Sequence, residues 1–351
     1  MSCLESAKEM NGNRQRRWPA LLALLLWPWV AGSLASEAIR FPTQNRALLI
    51  GDGGERFFVG TVGKPWTSGT FGCVRSDGWQ VHEGIDIRAL QRDRRGEATD
   101  PVMACADGTL AYLNRRASLS NYGLYLILQH RLDGLEVYSL YAHLREIRPD
   151  LKPGQTLRGG ETIGVLGRTA NTREGISKER AHLHFELNLF VNERFNTWYK
   201  SHFPKQRNDH GIWNGQNLLA FDPAEVLLRS HQANGKFSLL EFIRSQRPLC
   251  RVLVRKTQFP WLQRYPALIR PNPVAAAQGI AGYEMTLNFN GIPFEVTPRA
   301  ASEIKNKGAW QLLWVDPAEH QKNPGRRLVT KKGAHWQLTP QAERLLDLIT
   351  Y

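Results

Sequence analysis

Between Phe57 and about Val191 apolar positions recur at every second residue or in short β-branched and aromatic runs. Examples are Leu124-Tyr-Leu-Ile-Leu, Leu135-Glu-Val-Tyr-Ser-Leu-Tyr and His182-Leu-His-Phe-Glu-Leu. That pattern predicts short strands. The turn pairs Asp107-Gly108, Asp133-Gly134, Pro153-Gly154 and Gly159-Gly160 punctuate them, which favours antiparallel hairpins over helical crossovers. Residues 192–216 are polar and aromatic, and Phe221 to Leu228 reads as a short helix with Asp222 as cap and Pro223 at its first position. From about His231 the strand pattern resumes at Arg251–Arg255, Tyr283–Phe289, Phe294–Val296 and Trp310–Val315, and Pro340–Ile349 predicts a terminal helix. The expectation is a mainly β chain: a compact antiparallel domain over 63–230, and a second, mixed but β-rich unit over 231–351.

The N-terminus departs from this pattern. Arg14, Arg16 and Arg17 precede an apolar run from Trp18 to Val30, and small residues follow through Ser36. Residues 1–36 therefore read as a secretory signal peptide, since the run is shorter than the roughly 20 residues of a membrane span and holds Pro19 and Pro28. Residues 37–62 are an N-terminal segment, and the product is expected in the periplasm or outside the cell.

The whole chain of 351 residues carries a formal charge of +14. Loss of the leader removes four basic and two acidic side chains and leaves +12; residues 231–351 hold 17 Lys and Arg against 8 Asp and Glu. Such charge suits anionic cell-envelope polymers outside a cell, with nucleic acid as the other reading of the same number. In the stretch Arg251 to Arg270, Phe259, Trp261 and Tyr265 read first as core residues beneath a solvated basic face. Cys73, Cys105 and Cys250 remain after processing, enough for one bridge; Cys73 with Cys105 is the expected pair, against three reduced thiols.

The candidate chemistry lies in His82-Glu-Gly-Ile-Asp86, in His143 and in His182-Leu-His184. On a strand His182 and His184 share one face about 6.6 Å apart, so one can bind a metal while the other stands beside a bound water. A straight strand would separate His82 from Asp86 by roughly 13 Å, so the chain must curl, and Gly84 is read as permitting it. Two neutral imidazoles and a carboxylate with an open fourth position form the catalytic zinc pattern, not the closed structural one. Glu83 and Glu186 are read as supporting groups. His130, His202, His210, His231, His320 and His335 are read as surface rings.

These elements resemble the lysostaphin or LytM-type zinc metallopeptidases, which cut peptide bonds in bacterial cell walls. The resemblance runs in order through Ser68–Arg75, His82–Asp86, Pro101–Ala104 with Asp107-Gly108, and Tyr122-Gly123. It continues through Tyr141–Leu144, Gly154-Gln155, Gly160, Ile163-Gly164, Gly167 and His182–Glu186, about 120 residues in all. It implies His82, Asp86 and His184 as ligands of Zn2+, His143 and His182 as the catalytic pair, and a groove that receives peptidoglycan peptide stems or crosslinks. Nucleic acid is then not an expected partner. One stretch departs from the pattern: Asn171 to Arg180 is a longer, more charged loop expected to wall the groove and to bear on substrate preference. A catalytically silent wall-binding regulator is disfavoured because all five side chains are present. A lipoyl-type carrier reading of Leu151–Gly164 lacks its lysine motif and ignores every histidine.

Overall fold

In a computed structural model of the chain, the described residues are 39–351 apart from 76–79, 173–174, 234, 306–307, 324 and 326–327. The expected leader lies outside them. The alternating segments form an antiparallel sheet from β1 (Ile85–Arg88), β2 (Gly108–Asn114), β3 (Leu124–Leu132), β4 (Leu135–Leu144), β5 (Thr156–Leu157), β6 (His182–Phe190) and β7 (Leu218–Phe221). The order is β7-β6-β4-β3-β2-β5, and β1 pairs with the first half of β6. A three-stranded antiparallel sheet, Pro101–Met103, Thr162–Val165 and Glu146–Ile147, accompanies it.

Period two divides β6 between two environments. Leu183, Phe185, Leu187 and Leu189 enter the main apolar core, where each fully buried side chain of this size stabilises by about 1.5–3 kcal/mol. His182, His184, Glu186 and Asn188 alternate with them and are also buried. On that second face Tyr125, Tyr138, Leu140, Ala142 and Phe190 form a smaller cluster with Ile212 and Trp213.

After β6 the chain forms α1 (Phe195–His202), which presents Phe195, Trp198 and Tyr199 to the interior, and α2 (Pro223–Gln232). The Asp222 side chain accepts from the Ala224 and Glu225 amides, as its capping role requires. The remainder builds an antiparallel sheet from β8 (Cys250–Val254), β9 (Gly282–Leu287), β10 (Pro293–Arg299) and β11 (Trp310–Val315), in the order β10-β9-β8-β11. The terminal helix is α3 (Pro340–Thr350). Short helices at Leu239–Arg244, Pro260–Arg264, Pro273–Gln278 and Pro317–Lys322, and a hairpin of Val329–Lys332 with His335–Leu338, add to what the pattern predicted.

One continuous apolar core runs from Ile39 to Ile349. Polar contacts cross it: the Tyr265 hydroxyl accepts from the Phe190 amide at 2.7 Å, Asn192 donates to the Leu348 carbonyl at 2.8 Å, and Trp198 Nε1 donates to Asp347 at 2.7 Å. Among the described residues no helix is long and apolar enough to cross a membrane.

Two expectations are corrected here, and one is met. His130 is not a surface ring but is buried, bonding the Asp107 carbonyl at 2.8 Å and Ser139 Oγ at 2.6 Å, because the neighbouring strand closes over it. The cysteines are free: Cys105 is buried with its sulfur 3.9 Å from His130, away from the partly exposed Cys73. Phe259, Trp261 and Tyr265 are core residues, as expected.

Candidate metal centre and groove

Register places the first pair of candidate ligands. Asp86 on β1 lies directly opposite His184 on β6, and His184 lies opposite Ala142 on β4. His82 directly follows the short strand Gln80–Val81, before the chain turns into β1. Its amide donates to the Cys73 carbonyl and its carbonyl accepts from the Gly72 amide, which fixes the turn. Gly84 serves the turn by packing, not by an unusual backbone angle. A Cβ there would lie 2.4 Å from the Phe185 carbonyl oxygen, so only glycine lets the loop lie against β6.

His143 reaches the same face by a different device. Tyr141 enters the main core and Ala142 the opposite cluster, so regular alternation would send His143 inward with Tyr141. A register shift between Leu124 and Leu126 on the partner strand, together with a left-handed φ of 60° at His143, re-aims the ring instead. Its centroid then lies 4.9 Å from that of His182 and 5.9 Å from that of His184. Gly123, also left-handed, fits beneath Thr169 where any Cβ would collide with the Thr169 backbone at 2.1 Å.

His82 Nε2, Asp86 Oδ1 and His184 Nδ1 are mutually 3.0 Å apart. Two tetrahedral zinc ligands, each about 2.0–2.1 Å from the ion, stand roughly 3.3 Å apart, so these atoms outline one face of such a site. Their protonation fits a cation as well. His82 Nδ1 lies 2.9 Å from the Thr70 carbonyl, which can only accept, so Nδ1 carries the proton and Nε2 presents a lone pair beside the carboxylate. Burial lowers the His82 pKa against the pull of Asp86, keeping that ring neutral. Burial works to raise Asp86, but His82 and the other imidazoles around it hold its carboxyl well below the usual range. Burial would lower His184 too, yet its bonds to Asp86 and Glu186 hold it up to about 9. A divalent ion would displace the proton His184 holds toward Asp86.

Glu186 supports this centre from behind. Its Oε1 accepts from His184 Nε2 at 2.8 Å and from the Tyr122 hydroxyl at 2.7 Å, while Asn188 donates to its Oε2 at 2.9 Å. His143 Nδ1 is held 2.9 Å from the Thr169 carbonyl and His182 Nδ1 2.6 Å from the Arg180 carbonyl. In both rings Nδ1 therefore carries the proton and Nε2 is the lone pair; that of His182 lies 3.5 Å from Asp86 Oδ1, beside the candidate ligands. Burial, reinforced by His182 and His184, pushes His143 well below its ordinary pKa, and burial lowers His182.

The five residues open onto two cavities. One of about 740 Å³ is lined by His82, Glu83, Tyr122, His143, His184 and His210, and its far wall includes Gln341 of α3. The other, about 580 Å³, lies toward His182, Arg75 and Arg180.

Residues 80–196 match the sequence profile of peptidase family M23. The similarity covers that third of the chain. All five candidate side chains fall within it. Solved structures similar to the chain include a putative glycyl-glycine endopeptidase LytM from Ruminococcus gnavus, at 22% identity over 43% of this chain and 48% of that one, TM-score 0.29. A zinc containing peptidase from Vibrio cholerae is 20% identical over 43% and 37%, TM-score 0.28. The catalytic domain of lysostaphin from Staphylococcus simulans is 18% identical over 49% and 87%, TM-score 0.27. The chain spans less than half the length of the Ruminococcus and Vibrio proteins. No curated protein matches it.

Several groups of the M23 groove were not singled out from the sequence. Arg75 Nη2 donates to Asp86 Oδ2 at 2.9 Å, Tyr122 backs the Glu186 carboxylate, and His210 lines the larger cavity with its Nδ1 2.8 Å from the Tyr112 hydroxyl. Arg75 and Tyr122 stood inside motif elements without a role. His210 had no motif around it. His202 bonds the Trp198 carbonyl and pairs with Asp347, whereas His231 and His335 are exposed.

Proposed function

We propose that this protein is an exported zinc metalloendopeptidase that hydrolyses peptide bonds in bacterial peptidoglycan, with His82, Asp86 and His184 as ligands and His143 and His182 as the catalytic pair. The observation that carries the reading is the equilateral 3.0 Å set of two imidazole nitrogens and a carboxylate oxygen, flanked by two cavity-lining rings whose Nδ1 atoms are held by backbone carbonyls, which leaves Nε2 of each as a lone pair. When bound, zinc supplies Lewis acidity for a water and for the scissile carbonyl.

The chain's own residues supply the rest. Asp86 is kept ionised and His82 neutral, the forms in which each donates a lone pair. Glu186 fixes the orientation of His184 through Nε2, leaving Nδ1 for the ion. Neutral His143 and His182 accept a proton at Nε2 from the attacking water, hold it as an imidazolium beside the developing oxyanion, and return it to the leaving amine. The groove is open at both sides of the centre, as an enzyme that cuts within a polymer requires.

The test is incubation of the zinc-loaded protein with purified peptidoglycan, with and without a chelator, followed by mass spectrometry of the fragments. Chelator-sensitive release of peptide fragments is expected, and their masses identify the bond. His184→Ala should lose both zinc and cleavage. Retained zinc without cleavage in the wild-type protein would turn the reading toward the silent regulator.

A further inference from the structure

The loop Asn171 to Arg180 departs from the family pattern, and Thr172, Gly175, Ile176 and Arg180 from it line the smaller cavity. Arg180 is half-buried there, alongside Arg75, His143 and His182. Its Nε donates to the Gly60 carbonyl at 3.0 Å, and its two terminal nitrogens have no hydrogen bond or ion pair among the described residues. Among the described residues Asp86 is the one acidic side chain lining that cavity, and its oxygens are engaged by the candidate metal ligands and by Arg75. Burial lowers the Arg180 pKa against the pull of Asp86, and the neighbouring Arg75 adds to the lowering. The larger cavity is different: there Arg75 and Arg207 are matched by Glu83 and Asp209, and Arg207 pairs with Asp209 at 2.5 Å.

Residues 176–179, which lead into Arg180, are fixed from behind. Arg92 donates to the Lys178 carbonyl at 2.6 Å and the Glu179 carbonyl at 3.2 Å. Arg168 grips Glu97 through two bonds of 2.9 Å and donates to the Ile176 carbonyl at 3.1 Å. A guanidinium held in place by its neighbours loses little freedom on meeting a ligand, and its free fork matches a carboxylate.

We propose that this cavity is a carboxylate subsite, in which Arg180, with Arg75 beside it, receives a free carboxylate borne by the residue that follows the cleaved bond. The inference rests on the peptidase reading and narrows it. A crosslink that ends on the side-chain amino group of a diamino dicarboxylic acid carries such a carboxylate next to the scissile bond, whereas one that ends on a diamino monocarboxylic acid does not. A bridge of glycines carries none there. The preferred substrate is therefore the crosslink through a diamino dicarboxylic acid.

Two synthetic crosslink peptides, identical except for a carboxylate or a carboxamide on the residue after the cleaved bond, test this with the zinc-loaded full chain. The carboxylate peptide should show kcat/KM at least about tenfold higher, the scale of one charge-assisted hydrogen bond. In Arg180→Gln, which keeps a donor for Gly60, the ratio should fall close to one, and Arg180→Lys should restore part of it; unchanged unfolding temperatures show that both variants are folded. Equal rates in the wild type, or an undiminished ratio in Arg180→Gln, overturn the subsite and leave the peptidase reading standing. If the wild type cleaves neither peptide, the same pair is titrated against it by calorimetry. Tighter binding of the carboxylate form that disappears in Arg180→Gln then supports the subsite while the peptidase reading fails, and equal binding overturns the subsite.

Discussion

Glu186 touches neither groove nor candidate ion, yet it fixes which nitrogen of His184 is available. Replacing Glu186 with Gln removes the charge that His184 Nε2 and the Tyr122 hydroxyl share, and zinc affinity should weaken by about 10–100-fold. Competition with a chromophoric chelator measures this, and unchanged affinity would remove Glu186 from the site. His143 behaves in the opposite way, since its ring is turned by its own backbone and contacts no ligand atom directly. His143→Ala should keep one zinc per chain and lower kcat by about 10²–10⁴-fold. Residue types and spacing exposed these groups in the sequence, because imidazoles and carboxylates recurring near glycine turns suit few other purposes. The left-handed φ at His143 was not legible. It arises from a bulge between two strands, and alternation along one strand carries no record of its partner.

The strands around the centre were legible because one face enters the main apolar core while the other carries the site or the smaller aromatic cluster, and that division writes period two into the sequence. The capped helix after β7 was legible for a similarly local reason, with Asp222 and Pro223 marking its start. Elements whose apolar face is decided by distant partners escaped. In α1, Phe195, Trp198 and Tyr199 stand at helical spacing, but a polar surrounding masks them until the terminal helix packs nearby. His130 escaped for the same reason, being buried by the strand that follows its turn. The Asp222 cap yields a prediction at this scale. Burial pushes its carboxyl up to about 6 from an ordinary 3.8, while its bonds to two amides oppose the shift. The folded state thus holds the proton more tightly, so this contribution to stability is full below about pH 4 and is lost as pH rises through about 6. Asp222→Asn, which keeps the acceptor without the charge, should flatten that part of the stability profile in denaturant titrations. Asp222→Ala should cost about 1 kcal/mol through loss of the cap.

Across the whole molecule, the strand that carries His182 and His184 at one end is tied at its other end to the C-terminal residues. The Tyr265 hydroxyl accepts from the Phe190 amide at 2.7 Å and donates to the Phe190 carbonyl at 3.3 Å, and Asn192 just beyond the strand is held by the Leu348 carbonyl. Arg264 lies 4.7 Å over the Phe190 ring while pairing with Glu136 on β4 and with Glu193. Residues after 231 therefore complete the core beneath β6, and Gln341 extends the wall of the larger cavity. Basic charge is concentrated in this part of the chain, but its large aromatics at Phe259, Trp261 and Tyr265 are spent on packing. A shared core couples unfolding of the two parts, so calorimetry of residues 39–351 should show one cooperative transition. Tyr265→Phe leaves the buried Phe190 amide without its acceptor and should destabilise that transition by about 1–3 kcal/mol, with zinc stoichiometry unchanged. Two separate transitions, with Tyr265→Phe shifting only the one assigned to residues 231–351, would mean that β6 is stable without the support beneath it.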